Sequence, residues 1–355
     1  MSRSSLRVID ANLNRAREAL RVIEDHCRFS QNDPATSAAI KQSRHGLRSI
    51  VEIVGEDRLL AARSVESDVG RTLKAADENL RENEVDVVRA AFSRLAESLR
   101  SIAEYAKITH VAAAQIAETL RYESYALQQK IVFRDRGLEQ LRNNGLYAIL
   151  TESICRKPWK ETARALIDGG VGCIQLREKL IDDRELLTRA RWLREETAAA
   201  SVLLCINDRA DLAALCHADL LHVGRNDLTL ADARKIVEGR VIIGTSTHTL
   251  EDLAEAVREH PDYVAIGPMF HSETKPRDAL AGISGLQRVR AATNSLVAAI
   301  GGITLDRVRE LRLHGADVIC VCRDLLAAAD PAAQTRRYRE VLSEVAGAAP
   351  ADSNP

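Results

Sequence analysis

Ser201-Val-Leu-Leu-Cys-Ile-Asn-Asp-Arg-Ala-Asp-Leu-Ala-Ala-Leu-Cys-His-Ala-Asp-Leu-Leu-His-Val-Gly224 holds two short apolar runs separated by a polar turn and a helical interval. Val202–Ile206 and Leu220–Val223 are nearly continuous in apolar residues, the pattern of strands buried on both faces. Six further runs of the same kind follow or precede them: Leu146–Leu150, Cys173–Leu176, Val241–Ile243, Tyr263–Ile266, Leu296–Ile300 and Val318–Val321. Each is followed by a helical pattern, as in Trp159–Ile167, Asp183–Ala198, Leu250–Val257 and Leu305–Leu313. Eight βα units in so short a stretch predict a (β/α)8 barrel over 146–345, of the class α/β. A doubly wound open sheet is the competing architecture. No GxGxxG follows the first strand, which disfavours a dinucleotide site.

Upstream the pattern changes period. Ile9, Leu13, Ala16, Leu20, Ile23 and Cys27 recur at helical spacing, as do Val88, Ala91, Leu95, Leu99, Ile102 and Ala106. Weaker stripes run through Ile40, Leu47, Ile50 and Val54, and through Ile116, Leu120 and Leu127. Residues 1–135 are therefore expected to be an all-α helical domain, punctuated at Asn32-Asp-Pro34, Gly55 and Gly70. Arg15-Ala-Arg-Glu-Ala-Leu-Arg-Val-Ile23 lies over Arg94-Leu-Ala-Glu-Ser-Leu-Arg-Ser-Ile102 at an offset of 79 residues. That is either two similar amphipathic stripes or an internal duplication. The polar, glycine-punctuated segment 136–145 reads as a linker, and 346–355 as a disordered tail.

Composition narrows the function classes. Fifty Lys+Arg against 51 Asp+Glu leave a formal net charge of −1, and aromatics are only 3%. Neither a polybasic footprint nor a base-stacking surface is present, so no nucleic-acid partner is expected. No apolar run reaches the length of a membrane span, and Met1-Ser-Arg-Ser-Ser-Leu-Arg7 carries no signal-like core, so neither membrane association nor export is expected. Seven cysteines, an odd number without CxxC spacing, point to a reducing, cytoplasmic setting. A homo-oligomer is compatible with all of this.

In a barrel, the residues just after each strand gather at one rim, where chemistry collects. Asp208 after strand 3 and Asp227 after strand 4 can converge, because neighbouring strand ends lie about 5 Å apart. Beside Arg177, Lys179 and Lys275 they suggest Mg²⁺ holding a polyphosphate, since Mg²⁺ prefers one or two carboxylates plus phosphate oxygens and water. A general acid/base pair is the rival chemistry; a helix-capping Asp208 is the structural alternative. Gln175, Arg177 and Lys179 alternate along one side of a strand, and a cation pair there suits a diphosphate. Gly301-Gly302 sits where barrels build phosphate cradles from loop amides. Ser272-Glu-Thr274-Lys275 adds hydroxyl and ammonium donors in one turn. His248 and His271 lack an acidic partner nearby in sequence and are read as peripheral; Cys320 and Cys322 are read as small core residues.

These pieces carry a resemblance. Leu146-Tyr-Ala-Ile-Leu-Thr, Gln175-Leu-Arg-Glu-Lys, Ile206-Asn-Asp-Arg, His222-Val-Gly with Asp227, Gly244-Thr-Ser-Thr-His, Gly267-Pro-Met-Phe with Thr274-Lys275-Pro276, and Ile300-Gly-Gly-Ile occur in order. Residues 146 to about 330 thus resemble the thiamine-phosphate synthases (thiamine-phosphate pyrophosphorylases), barrel enzymes that join hydroxymethylpyrimidine diphosphate to thiazole phosphate and release pyrophosphate. The resemblance implies that Gln175, Leu176, Arg177, Glu178, Lys179 and Asn207 hold the pyrimidine diphosphate, with Ser246 and Lys275. It implies that Asp208 and Asp227 bind Mg²⁺, and that Ser272, Glu273, Thr274 and Gly302 hold the thiazole phosphate. Arg177, Lys179 and Lys275 would stabilise the departing pyrophosphate. Arg225 and Cys322-Arg323 depart from the family's usual residues. The helical segment, through Ile9-Asp-Ala-Asn-Leu-Asn-Arg-Ala-Arg-Glu-Ala-Leu-Arg-Val-Ile-Glu-Asp25, is similar to an N-terminal extension of this synthase proposed as an alternative hydroxymethylpyrimidine-phosphate kinase. It contains no GxxxxGK[ST], and its residues alone suggest a scaffold or oligomerisation role. The competing expectations for the barrel are a thiazole tautomerase, which needs no diphosphate, and a non-catalytic phosphate-ligand sensor.

Overall fold

A computed structural model describes residues 1–31, 33–63, 81, 83–271 and 280–348. The chain divides into two compact units, Met1–Asp135 and Arg136–Pro355.

The first unit is helical. Ser2 opens α1 (Arg3–Asp25) by accepting from the Ser5 N–H, and a turn of π-helix, His26–Ser30, continues it. Asp33 then caps α2 (Pro34–Val54), with Pro34 in the first turn where its missing N–H costs nothing. Asn32-Asp-Pro34 was expected to stop the first helix; Asp33 and Pro34 are used to start the second. Gly55, at φ +97°, separates α2 from α3 (Glu56–Ala62). Asn83 caps α4 (Glu84–Ala106). Every residue of the two strong stripes is buried, as are Ile40, Leu47, Ile50 and Val54. The helices that carry the internal resemblance, α1 and α4, pack against each other. Gly70 lies outside the described residues. Among the described residues no helix is long and apolar enough to cross a membrane.

The helix α5 (Val111–Asn144) overturns the expected linker. Residues 136–144 are helical, and the break comes only at Gly145, at φ +71°. The reason is a short apolar face inside the polar segment: Leu141 is fully buried and Leu138 packs beside it, both against the interior of the barrel. Gly137 reaches the same end, where a Cβ would stand 2.6 Å from Ile242 Cδ1. Leu141→Ala should therefore cost about 2–4 kcal/mol, the usual range for an emptied aliphatic site. A urea midpoint unchanged from that of the parent would show that Leu141 does not close the barrel.

Eight parallel strands close in sequence order. They are β1 (Leu146–Leu150), β2 (Cys173–Leu176), β3 (Leu203–Asn207), β4 (Leu220–Val223), β5 (Ile242–Thr247), β6 (Tyr263–Ile266), β7 (Leu296–Ile300) and β8 (Val318–Val321). Alternation along each strand sorts two cores. Tyr147, Cys173, Cys205 and Tyr263 fill the interior, whereas Leu146, Ile174, Leu176 and Ile206 face the surrounding helices. β5 extends beyond the expected 241–243 because Gly244, Thr245, Ser246 and Thr247 interrupt the apolar run without interrupting the ladder. The last helix, α6 (Pro331–Ala348), contains residues 346–348 of the expected tail; 349–355 lie outside the described residues.

Candidate active site

A cavity of about 720 Å³ opens at the C-terminal ends of the strands. Gln175, Arg177, Asn207, Ser246 and Gly302 line it, five of the residues singled out from sequence. Arg177 is fixed by its own backbone: its N–H donates to Leu150 O (3.0 Å), and its carbonyl accepts from Thr151 Oγ1 (2.8 Å). Its side chain reaches the cavity that Gln175 enters from two residues earlier, as strand alternation demands.

The side chains of Leu176 and Glu178 point away from the cavity. Leu176 is buried between sheet and helices. Glu178 accepts from the Glu152 N–H (2.7 Å) and lies 3.7 Å from Arg189, so it braces the loop after β1. Both sit one residue out of phase with Gln175 and Arg177.

Asp208, Asp227 and Lys179 form a group at the rim and are not among the cavity-lining residues. Asp208 takes a left-handed backbone, φ +64°, which Asp tolerates better than most residues. Its N–H donates to His222 O (2.8 Å), tying the turn to β4. It does not cap the next helix, whose flanking residue, Arg209, makes no side-chain cap bond. Lys179 Nζ stands 3.1 Å from Asp208 Oδ2. Asp227 folds back so that Oδ2 accepts from the Gly224 N–H (2.7 Å). A Cβ on residue 224 would lie 2.9 Å from that oxygen, so the glycine makes room for it.

The two carboxyl groups meet. Burial and the adjoining Asp208 carboxyl push Asp227 above the ordinary carboxylate range, while the Gly224 N–H and Lys179 pull it down. A carboxylate pair that disfavours its own second charge is a place for a cation. Among the described residues no group of three or more His, Cys, Asp or Glu side chains could hold a metal ion. The donor set is therefore two hard oxygen ligands with the remaining positions open to water or phosphate, which fits Mg²⁺.

Gly301 and Gly302 both have positive φ, +98° and +66°. Gly301 O accepts from the Phe270 N–H (3.0 Å), so the end of β7 is sewn to the loop after β6. Ser272, Glu273, Thr274 and Lys275 lie outside the described residues. Arg323 and Cys322 line the cavity, and burial pushes the Cys322 thiol up to about 11, so it stays neutral. Arg225 does not line it; Nη1 pairs with the buried Asp252 at 2.8 Å, which accepts from the His248 N–H.

Three groups escaped the sequence reading. His248 and His271, read as peripheral, both line the cavity. His248 Nδ1 lies 2.5 Å from Gly267 O, and because a carbonyl only accepts, Nδ1 carries the proton. His222 also lines the cavity and is the lone polar residue of its strand. Beneath it Tyr147 and Tyr263 are fully buried inside the barrel. The available signal was strand phase: His222 shares its face of β4 with Leu220, which points inward.

Known proteins match the chain over both of its units. The family model of thiamine monophosphate synthase covers residues 146–325, and that of the ThiD2 family residues 7–130. The thiamine-phosphate synthase of Thermosynechococcus vestitus is 37% identical over 340 residues, covering 95% of this chain and 95% of its own. That of Rhodopirellula baltica is 35% identical, covering 97% and 94%. Among solved structures, the thiamine phosphate pyrophosphorylase from Pyrococcus furiosus superposes with a TM-score of 0.54 at 33% identity. It covers 58% of this chain and 98% of its own. With half the chain under one family model and relatives matched along nearly its whole length, the chain belongs to the thiamine monophosphate synthase family.

Proposed function

We propose that this protein is a thiamine-phosphate synthase, a transferase of thiamine biosynthesis. It joins 4-amino-2-methyl-5-(diphosphooxymethyl)pyrimidine to 4-methyl-5-(2-phosphooxyethyl)thiazole, giving thiamine phosphate and pyrophosphate. The carrying observation is the meeting of Asp208, Asp227 and Lys179 at the rim of a cavity that Arg177 and Gln175 enter. Cations and a carboxylate pair in one place match a diphosphate with its metal; a tautomerase, which handles no diphosphate, has no use for that pair.

Asp208 and Asp227 would hold Mg²⁺, which when bound neutralises charge on the diphosphate. Arg177, Lys179 and Lys275 bind the same group and stabilise it as the C–O bond to the pyrimidine methylene breaks. The aminopyrimidine supports the developing cation, and the thiazole nitrogen attacks the methylene with its ring lone pair. No general base is required, because that lone pair carries no proton. Gln175, Asn207 and Ser246 seat the pyrimidine, and Gly302 with Ser272, Glu273 and Thr274 seats the thiazole phosphate. The substrates are small molecules, and the setting is cytoplasmic. The test is pyrophosphate release by the full chain with both substrates and Mg²⁺; isomerisation of a thiazole carboxylate phosphate, or tight binding of both substrates without turnover, would replace this reading by one of its rivals.

For the helical unit, the match to the ThiD2 family supports phosphorylation of the pyrimidine monophosphate by ATP as a second activity. ADP formation by the full chain with that monophosphate checks it, and no turnover ends it.

A further inference from the structure

A continuous chain of hydrogen bonds runs through the barrel interior under the cavity. Gln175 Nε2 reaches Tyr147 Oη (2.8 Å); Tyr147 Oη reaches Tyr263 Oη (3.4 Å). Tyr263 Oη reaches His222 Nδ1 (3.0 Å), and His222 Nε2 reaches Ser246 Oγ (2.9 Å). Its two ends, Gln175 and Ser246, line the cavity.

One direction of donation satisfies every group in the chain, and it starts at the far end. The Cys205 thiol donates to Ile206 O (3.5 Å), which can only accept. The sulfur is then left to accept, and Gln175 Nε2, a donor, stands 3.8 Å from it, beside the Tyr147 and Tyr263 hydroxyls. Both amide protons of Gln175 are thereby committed, to Cys205 and to Tyr147. In this direction Tyr147 accepts from Gln175 and passes its own proton to Tyr263. Tyr263 in turn donates to His222 Nδ1. His222 therefore carries its proton on Nε2 and donates to Ser246 Oγ, which leaves the Ser246 hydroxyl proton to be given to the cavity. Burial pushes both phenols well above their ordinary range, so each keeps its proton. The sequence makes room for the arrangement: a Cβ at Gly244 would stand 2.0 Å from Tyr263 Cζ.

We propose that Tyr263, backed by Tyr147, is a positioning residue that locks His222 in one tautomer, so that the cavity floor offers an acceptor at Gln175 Oε1 and a donor at Ser246 Oγ. A ring presenting an amine beside an unprotonated ring nitrogen, as an aminopyrimidine does, satisfies both. A ring of the same size without the amine leaves Gln175 Oε1 unpaired, which costs binding. This deepens the proposed function and rests on its placement of the pyrimidine on Gln175 and Ser246.

Steady-state kinetics of the full-length Tyr263→Phe protein, with Mg²⁺ and both substrates, tests the proposal. Losing one hydrogen bond of this network should lower kcat/KM for the pyrimidine diphosphate about tenfold, with KM for the thiazole phosphate within about twofold of the parent. Nitrogen NMR of histidine-labelled protein should show His222 with one pyrrole-type and one pyridine-type nitrogen in the parent and a mixture of tautomers in the variant. A merely structural tyrosine would shift both substrates' KM together and leave the tautomer alone, which would overturn the proposal. Tyr147→Phe, one bond further out, should move the same quantities in the same direction and serves if Tyr263→Phe does not fold. Ser246→Ala separates the two levels of inference. Unchanged pyrimidine kinetics there would overturn the seating of the pyrimidine itself; a large effect there with none in either Phe variant would overturn the relay alone.

Discussion

Asp208→Asn should lower kcat for thiamine-phosphate formation by about 100- to 1,000-fold, the range for removing a group that stabilises charge only in the transition state. Asn is the sharper replacement because residue 208 sits at φ +64°, where Asn is tolerated as Asp is, so the turn survives and only the charge goes. Ala would add backbone strain of about 1 kcal/mol and confuse the two effects. In the parent, Asp208 holds Lys179 at 3.1 Å and stands against the Asp227 carboxyl. Without its charge Asp227 returns toward its ordinary range, the proposed Mg²⁺ site loses one of its two ligands, and Lys179 loses its partner. Initial rates of pyrophosphate release at saturating Mg²⁺ measure the loss. Mg²⁺ is expected to raise the Tm of the substrate-free parent, and that shift should be absent in the variant. Near-normal turnover in this variant would remove Asp208 from the metal site. Lys275→Ala is expected to lose most of kcat in the same assay, on the strength of its place in Thr274-Lys275-Pro276.

The strands were legible because a parallel barrel buries both faces of each, and eight apolar runs separated by helical periods leave few other architectures. β5 ran longer than its apolar core because ladder hydrogen bonds are blind to side-chain polarity: Ser246 pairs with Ala265 as readily as Ile243 would. The 136–145 segment misled for the opposite reason. Two leucines three apart, Leu138 and Leu141, suffice to dock a polar helix, and composition averaged over ten residues hides them. At the site, strand phase put Gln175, Arg177 and Lys179 on one side: Gln175 and Arg177 line the cavity, Lys179 pairs with Asp208 at its rim, and the side chains of Leu176 and Glu178 turn away. The histidines were undervalued because their partners are remote in sequence. His222 meets Tyr263, 41 residues on, and His248 meets the carbonyl of Gly267, 19 residues on.

Gly302→Ala should raise KM for the thiazole phosphate at least about tenfold while changing KM for the pyrimidine diphosphate by much less. Gly301-Gly302 lets backbone amides come close to an anion, and the structure places a second constraint on Gly302. Gly302 has φ +66°, where a Cβ is disfavoured by about 1 kcal/mol. That Cβ would also stand 2.5 Å from His271 O and 2.7 Å from Phe270 O. Both atoms are backbone, so neither can swing aside as a side-chain end would. The loop after β6 is held on the other side by Met269 N–H to Ile300 O and Phe270 N–H to Gly301 O, so it cannot retreat without breaking its ties to β7. The added methyl must therefore push apart the β6 and β7 loops, which carry the residues proposed to bind the thiazole phosphate, and leave β2 and β3 in place, which carry Gln175, Arg177 and Asn207. Separate titrations of the two substrates read that asymmetry. Equal losses for both would mean that the glycine is needed for the barrel as a whole, and no loss would mean that the thiazole phosphate binds away from the end of β7.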